Sequence, residues 1–270
     1  MRIGFIGILK EAFQADAEGT LAWLGSLGID GMEGSAALAG YLGVSPTEAR
    51  RRMETVGLAA GPQGRVAFEQ SESEWREVMQ KAQEMGTPYV VDYYAPCNDH
   101  DEVLRYCEYF NAVGRICREE GLRFLYHNHD HEFRRIADNA AAGAQAPTAF
   151  DIILGNTDPE LVGIELDVAW ATFGGYDPVA LIVQHAHRIP VLHMKDFEHL
   201  HPGSPTAEGK RDEAVFAEVG TGIVDTAGVV AAAREAGVDW LIIEQDRMNR
   251  LSPKESLEVS YRKLDEIISQ

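Results

Sequence analysis

The chain has 270 residues, 45% hydrophobic and 25% charged, enough to bury the core of two small domains or of one α/β barrel. Its 43 acidic residues against 24 basic ones give a formal net charge of −19, which repels polyanions and argues against a nucleic-acid groove or an anionic membrane surface. A neutral or metal-complexed small molecule is the expected partner.

Short β-type apolar runs alternate with amphipathic segments from one end to the other, with no low-complexity linker between them. The first run, "RIGFIGI" (2–8), meets Lys10 and Glu11 at once and has no small-residue cleavage site. No later segment approaches the ~18 uninterrupted apolar residues of a membrane span, so a cytoplasmic protein is expected. "DGMEG" (30–34) is the second strand candidate, and "SPTEARRRMETVG" reads as a helix capped by Ser45, opened by Pro46 and closed by Gly57. "GLAAG" (57–61) and "PYVVDYY" (88–94) follow. The helix "DHDEVLRYCEYFNAVGRICREEG" then carries Cys107 and Cys117, which with Cys97 read as reduced thiols rather than a disulfide set.

"LRFLYHN" (122–128), "VGIELDV" (162–168), "PVLHMKD" (190–196) and "WLIIEQD" (240–246) complete eight strand candidates, and "SPKESLEVSYRKLDEIIS" closes the chain as a Ser-Pro-capped helix. Parallel neighbours need helical crossovers, so this alternation predicts an α/β fold, a (β/α)8 TIM barrel in one domain over residues 1–270. The rival open sheet usually carries a Gly-rich phosphate turn after its first strand, and "GILKEAF" offers none.

A parallel barrel keeps its chemistry at the C-terminal ends of its strands. The fifth strand ends in His127, Asn128 and His129 with Glu132 beyond, the sixth in Asp167, the seventh in His193 and Lys195, and the eighth in Glu244 and Asp246. Strand alternation puts Glu165 with Asp167, His193 with Lys195 and Glu244 with Asp246 on one face, opposite Leu166, Leu192, Met194 and Ile243. Carboxylates converging on one mouth repel one another, and a divalent cation resolves that repulsion. Any one of these residues is more often a cap or a structural group; Asp167, His193 and Glu244 on one rim favour a metal site. His185 and His187 read as structural, near a helix end. The glycines of "EVGTGIVD" are a weak phosphate signal beside the plainer reading of Asp225 as a helix cap, and "TAEGKRDEAVF" is a loop able to fold over the mouth.

The ordered stretches "YHNHDHEF", "ELDVAW" with "GGYDP", "VLHMKDF", "EVGTGIVD" and "WLIIEQD" resemble the xylose isomerase-like barrels of the sugar phosphate isomerase/epimerase family, whose relatives include tagatose and psicose 3-epimerases and inosose dehydratase. The resemblance covers about the last 150 residues and implies one divalent metal, Mn²⁺ first with Mg²⁺, Co²⁺ or Zn²⁺ admissible, held by Glu132, Asp167, His193 and Glu244. His127 and His129 are alternatives to Glu132. It implies an isomerase or epimerase acting on a sugar or keto-sugar through an enediolate, with Glu132 and Glu244 moving the proton and His129, His127 and Lys195 as alternatives. The same enediolate can expel a β-oxygen, so a dehydratase or β-eliminating lyase on a keto-sugar, 3-keto-glycoside or inosose is the second reading. Trp170, Tyr93, Tyr94, Phe173 and His201 are candidate substrate walls, with packing as the equal alternative, and a homodimer or tetramer is expected. A non-catalytic sugar-binding protein would keep such walls without needing the metal residues. A multi-metal nuclease of the endonuclease IV type is disfavoured by the charge.

Overall fold

The computed structural model describes residues 1–136, 146–199 and 214–270. Its main sheet runs β1 (Arg2–Phe5), β2 (Gly31–Met32), β3 (Ala59–Ala60), β4 (Gln63–Gly64), β5 (Tyr89–Asp92), β6 (Arg123–His127), β7 (Val162–Asp167), β8 (Val191–Met194) and β11 (Trp240–Ile243). The hydrogen-bonded order is β3-β2-β1-β11-β8-β7-β6-β5-β4, all pairings parallel. β3 bonds β2 while β4, two residues further on, bonds β5. They are two halves of one stave, interrupted where Pro62 has no N–H to give the ladder, and through them the sheet closes into eight staves. All eight strand candidates are therefore strands of one TIM barrel. A separate antiparallel pair, β9 (Asp196–His199) with β10 (Val215–Ala217), leaves the end of the seventh stave.

The helix signals act as local chemistry requires. Ser45 accepts from the Glu48 N–H at the start of the helix Pro46–Thr55, and Asp99 from the Glu102 N–H at the start of the helix His100–Glu119. Ser252 and Glu255 form a reciprocal capping box on the last helix, Pro253–Ile268. Among the described residues no helix is long and apolar enough to cross a membrane. Cys97, Cys107 and Cys117 are free and buried, and burial pushes the Cys107 and Cys117 thiols up to about 12, which keeps them unreactive.

Strand alternation sorts the core into two layers. Leu166, Leu192, Met194 and Ile243 pack outward under the helices, while Val91, Leu125, Val191, Trp240 and Ile242 form a separate apolar cluster. Trp240 fits that cluster because its neighbours are glycines. A Cβ at Gly31 would lie 2.6 Å from the indole and 2.3 Å from the Ala59 carbonyl oxygen, and one at Gly4 2.8 Å from Ile242. An apolar plug below leaves the polar inward residues of the same strands to gather at the mouth.

Asp92, at the end of β5, shows the electrostatic cost of such burial. It accepts from Arg65 Nε at 3.0 Å and the Tyr109 hydroxyl at 3.1 Å, yet burial outweighs both partners and raises its carboxyl from 3.8 to about 6. A folded-state value above the unfolded one adds stability below about pH 4 and loses it as pH rises through about 6. The stability of Asp92→Asn relative to wild type should therefore rise by ~3 kcal/mol between about pH 4 and pH 7, at 1.36 kcal/mol per unit. Denaturant titrations at the two pH values check this; a pH-independent difference would count against it.

Candidate metal and active site

The register of β6, β7 and β8 sets His127 beside Glu165 and Asp167 beside His193, and Glu244 follows β11 directly. Ligand atoms of His127, Asp167, His193 and Glu244 all come within 4.8 Å of one another. The first three are buried, and the Glu244 side chain is 25% exposed, so the group opens toward solvent through Glu244. His193 lies with Nδ1 2.8 Å from Glu244 Oε2 and Nε2 2.9 Å from Glu33 Oε2. Its ring centroid is 4.3 Å from that of His127. Asp167 Oδ2 and His127 Nδ1 are buried and accept or donate no well-directed hydrogen bond. Two imidazoles and two carboxylates at these separations fit a divalent cation.

Lys195 stands beside the same group. Its Nζ is 3.1 Å from Asp167, 2.9 Å from Glu244 and 2.9 Å from Asp246, with 2% of the side chain exposed. Burial would strip its proton, but Asp167, Glu244 and Asp246 together raise its pKa further. Three carboxylates around one ammonium make Lys195 a hydrogen-bond donor to this group. Burial would raise Glu244 too, yet the Lys195 ammonium and His193 hold it well below the usual carboxylate range. Glu165, buried like its neighbours, is pulled down to about 2 by His193 and His127. Glu33 is driven up to about 8 by burial and by the charge of Glu165.

Glu132, expected among the metal ligands, is not in the group of ligand atoms that comes together among the described residues. It lies in a short 3-10 turn, His131–Phe133, where it is fully buried, accepts the Tyr126 hydroxyl proton and takes the His129 N–H at 2.9 Å. His127, the last residue of β6, is the member of the quartet that this stretch supplies. Glu132 shapes the turn that carries His129, whose ring stands 4.9 Å from His127 and 6.4 Å from Trp170.

Of the proposed substrate walls, Trp170 is packed rather than open. It is 1% exposed, with Phe173, Phe197 and Phe216 at 5.5–5.9 Å and Lys195 Nζ 5.6 Å from its ring. Phe173 is buried in the same cluster, which ties the β9–β10 hairpin down beside the mouth. Tyr93 and Tyr94, at 46% and 49% exposure, remain available to a ligand. His201 and most of "TAEGKRDEAVF" lie outside the described residues. A cleft of about 580 Å³ reaches Asp246 and Lys254, and another of about 210 Å³ reaches Glu33; both touch Gly7 and Lys10.

Asp225 caps its helix, Thr226–Ala236, through the Gly228 N–H. The glycine turn before it is already occupied: the N–H groups of Gly220, Gly222 and Val224 all donate to Asp196 at 2.8–3.1 Å. A carboxylate of the protein fills the cradle that a phosphate would need. Glu33 was missed in the sequence. It ends the second stave as Asp167 ends the sixth, so the strand-end rule applied to "DGMEG" would have found it.

The barrel fold agrees with what the chain is similar to. It is 31% identical over 150 residues to the inosose dehydratase of Geobacillus kaustophilus, a match covering 51% of this chain and 43% of that one. The chain spans about half the length of the curated relatives it matches. A sugar phosphate isomerase/epimerase from Parabacteroides distasonis superposes with a TM-score of 0.75 at 22% identity, covering 97% of this chain and 94% of that one. An IOLI protein with a bound zinc atom gives 0.70 at 16% identity, with coverage of 100% and 98%. The profile of xylose isomerase-like TIM barrels matches residues 21–267, from the second helix to the last, and the chain belongs to that family.

Proposed function

We propose that the protein is a divalent-metal-dependent carbon–oxygen lyase that removes water or an alcohol from a keto-sugar or inosose. The observation that carries this reading is the make-up of the quartet. Its first member is His127, and Glu132, the second carboxylate that an epimerase pair would need, is engaged by Tyr126 and the His129 backbone. The inosose dehydratase relative supports the same reaction class.

A cation held by His127, Asp167, His193 and Glu244 supplies Lewis acidity toward a ketone and its neighbouring hydroxyl. The rest of the work falls to the chain's own groups. Lys195 keeps its proton and donates toward negative charge as it develops on the ketone oxygen. His129, half-buried beside His127, takes the α-proton and returns it to the departing β-oxygen, so that a C–H and a C–O bond break and a C=C bond forms. Trp170 and the hairpin aromatics exclude water from one side of the site. Tyr93 and Tyr94 offer ring faces to sugar C–H groups.

His129→Gln should lower kcat about 10²–10⁴-fold while leaving metal content unchanged, the range for loss of a general acid–base. Turnover assays with parallel metal analysis check this, and loss of the metal instead would reassign His129 as a ligand. The reaction type is tested by incubating metal-loaded protein with ketoses, 3-keto-sugars and inososes in D₂O and following the NMR spectrum. Loss of water or alcohol is expected. Deuterium exchange without that loss would replace the lyase reading with an isomerase.

A further inference from the structure

Each imidazole of the quartet has one nitrogen toward a quartet carboxylate and the other toward a carboxylate outside it. His193 presents Nδ1 to Glu244 at 2.8 Å, and on the opposite side of the ring Nε2 lies 2.9 Å from Glu33 and 3.4 Å from Glu165. His127 presents Nε2 toward Asp167 at 4.0 Å and Nδ1 toward Glu165 at 3.5 Å. One side chain, Glu165, therefore stands behind both rings. It is two residues before Asp167 on the same strand, so alternation sends both inward, one layer apart. Glu33 reaches the same layer from the end of β2, and both carboxylates are at least 95% buried.

We propose that Glu33 and Glu165 are positioning residues, a carboxylate floor that bonds His193 Nε2 through Glu33 and stands behind His127 Nδ1 through Glu165, so that His193 Nδ1 and His127 Nε2 face the cation. The inference rests on the cation reading above. An imidazole that binds a metal through one nitrogen must keep a proton on the other, and a carboxylate behind it fixes the tautomer, the ring orientation and the basicity of the ligating atom. Without that partner the ring samples both tautomers and rotated positions, and only a fraction of the population is competent to bind. Glu33 and Glu165 also form a compact group with His193 that a second cation would fit. That arrangement requires His193 to lose both ring protons and bridge two cations, whereas the floor requires none to be lost from Nε2.

The test has two arms. In the first, equilibrium dialysis against Zn²⁺ is run on wild type, Glu33→Ala, Glu33→Gln and Glu165→Gln. One ion per chain is expected throughout, with affinity lowered about 10–100-fold in Glu33→Ala and Glu165→Gln. Glu33→Gln, which keeps an acceptor but not the charge, should fall between Glu33→Ala and wild type. Unchanged affinity in both Glu33→Ala and Glu165→Gln would overturn the proposal, as would a second ion in wild type that Glu33→Ala loses. In the second arm, protein labelled with ¹⁵N-histidine is followed by NMR without metal. His193 Nε2 should carry a proton in wild type, with a resonance displaced in Glu33→Ala; an unprotonated Nε2, or a resonance that does not move, would overturn the floor. This arm needs no cation, so a wild type that binds no Zn²⁺ would sink the proposed function while the Nε2 signal still decides the positioning role. Circular dichroism identifies any variant that fails to fold, and the remaining variants then carry the comparison.

Discussion

Replacing His193 with alanine is expected to abolish divalent-cation binding and to lower kcat/KM at least about a thousandfold. Its ring lies at hydrogen-bond distance from both a quartet carboxylate and a carboxylate behind it, with Glu244 on Nδ1 and Glu33 on Nε2. Loss of the ring removes a proposed ligand and takes the imidazole from between Glu244 and the buried Glu33 and Glu165. Lewis-acid stabilisation worth several kcal/mol converts to about one decade of rate per 1.4 kcal/mol, which sets the size of the loss. Metal analysis after loading and desalting, together with turnover of whichever keto-sugar proves active, measures both effects. A variant that keeps its cation and its rate would remove His193 from the site.

Lys195→Met should give the second large effect, on stability instead of chemistry. The ammonium offsets part of the charge of Asp167, Glu244 and Asp246 in the absence of a cation, and its removal takes away a positive partner that all three share. Breaking a buried ionic cluster from one side costs about 3–5 kcal/mol. At roughly 2–4 °C per kcal/mol, Tm of the EDTA-treated variant should fall roughly 10 °C below wild type. A divalent cation binding the folded state returns about 2.7 kcal/mol at a hundredfold excess over Kd, so much of that loss should be recovered with Mn²⁺. Thermal melts with EDTA and with Mn²⁺ decide the matter. Equal Tm values for the metal-free proteins would show that Lys195 does not hold the carboxylates together.

The staves and the rim were legible in the sequence because they follow from local rules. Strands alternate, so "VGIELDV", "PVLHMKD" and "WLIIEQD" already sort Asp167, His193 and Glu244 from Leu166, Leu192 and Ile243. The capping pairs Ser45–Glu48 and Ser252–Glu255 lie three residues apart and needed no tertiary context. What the sequence did not reveal depends on how a turn folds after its strand ends. In "YHNHDHEF" strand alternation stops at His127, and the following 3-10 turn folds Glu132 back onto Tyr126 and the His129 N–H. Spacing alone cannot say which of His127, His129 and Glu132 reaches the mouth. The strand-end rule points to Glu33, but not to its partner: His193 is 160 positions away, and the sheet order β2-β1-β11-β8 brings the two strands near each other. Trp170 follows a strand-end aspartate and looks like an exposed wall, yet the β9–β10 hairpin supplies Phe197 and Phe216 to cover it.

One divalent cation is proposed among His127, Asp167, His193 and Glu244, whose ligand atoms lie within 4.8 Å of one another. Anomalous diffraction from crystals grown with Mn²⁺ tests it most directly. A single strong anomalous peak is expected within bonding distance of His193 Nδ1, His127 Nε2, Asp167 and Glu244, with Glu132 still bonded to Tyr126. A peak on Glu132, or on Glu33 and His193 Nε2, or no peak at saturating Mn²⁺, would contradict it.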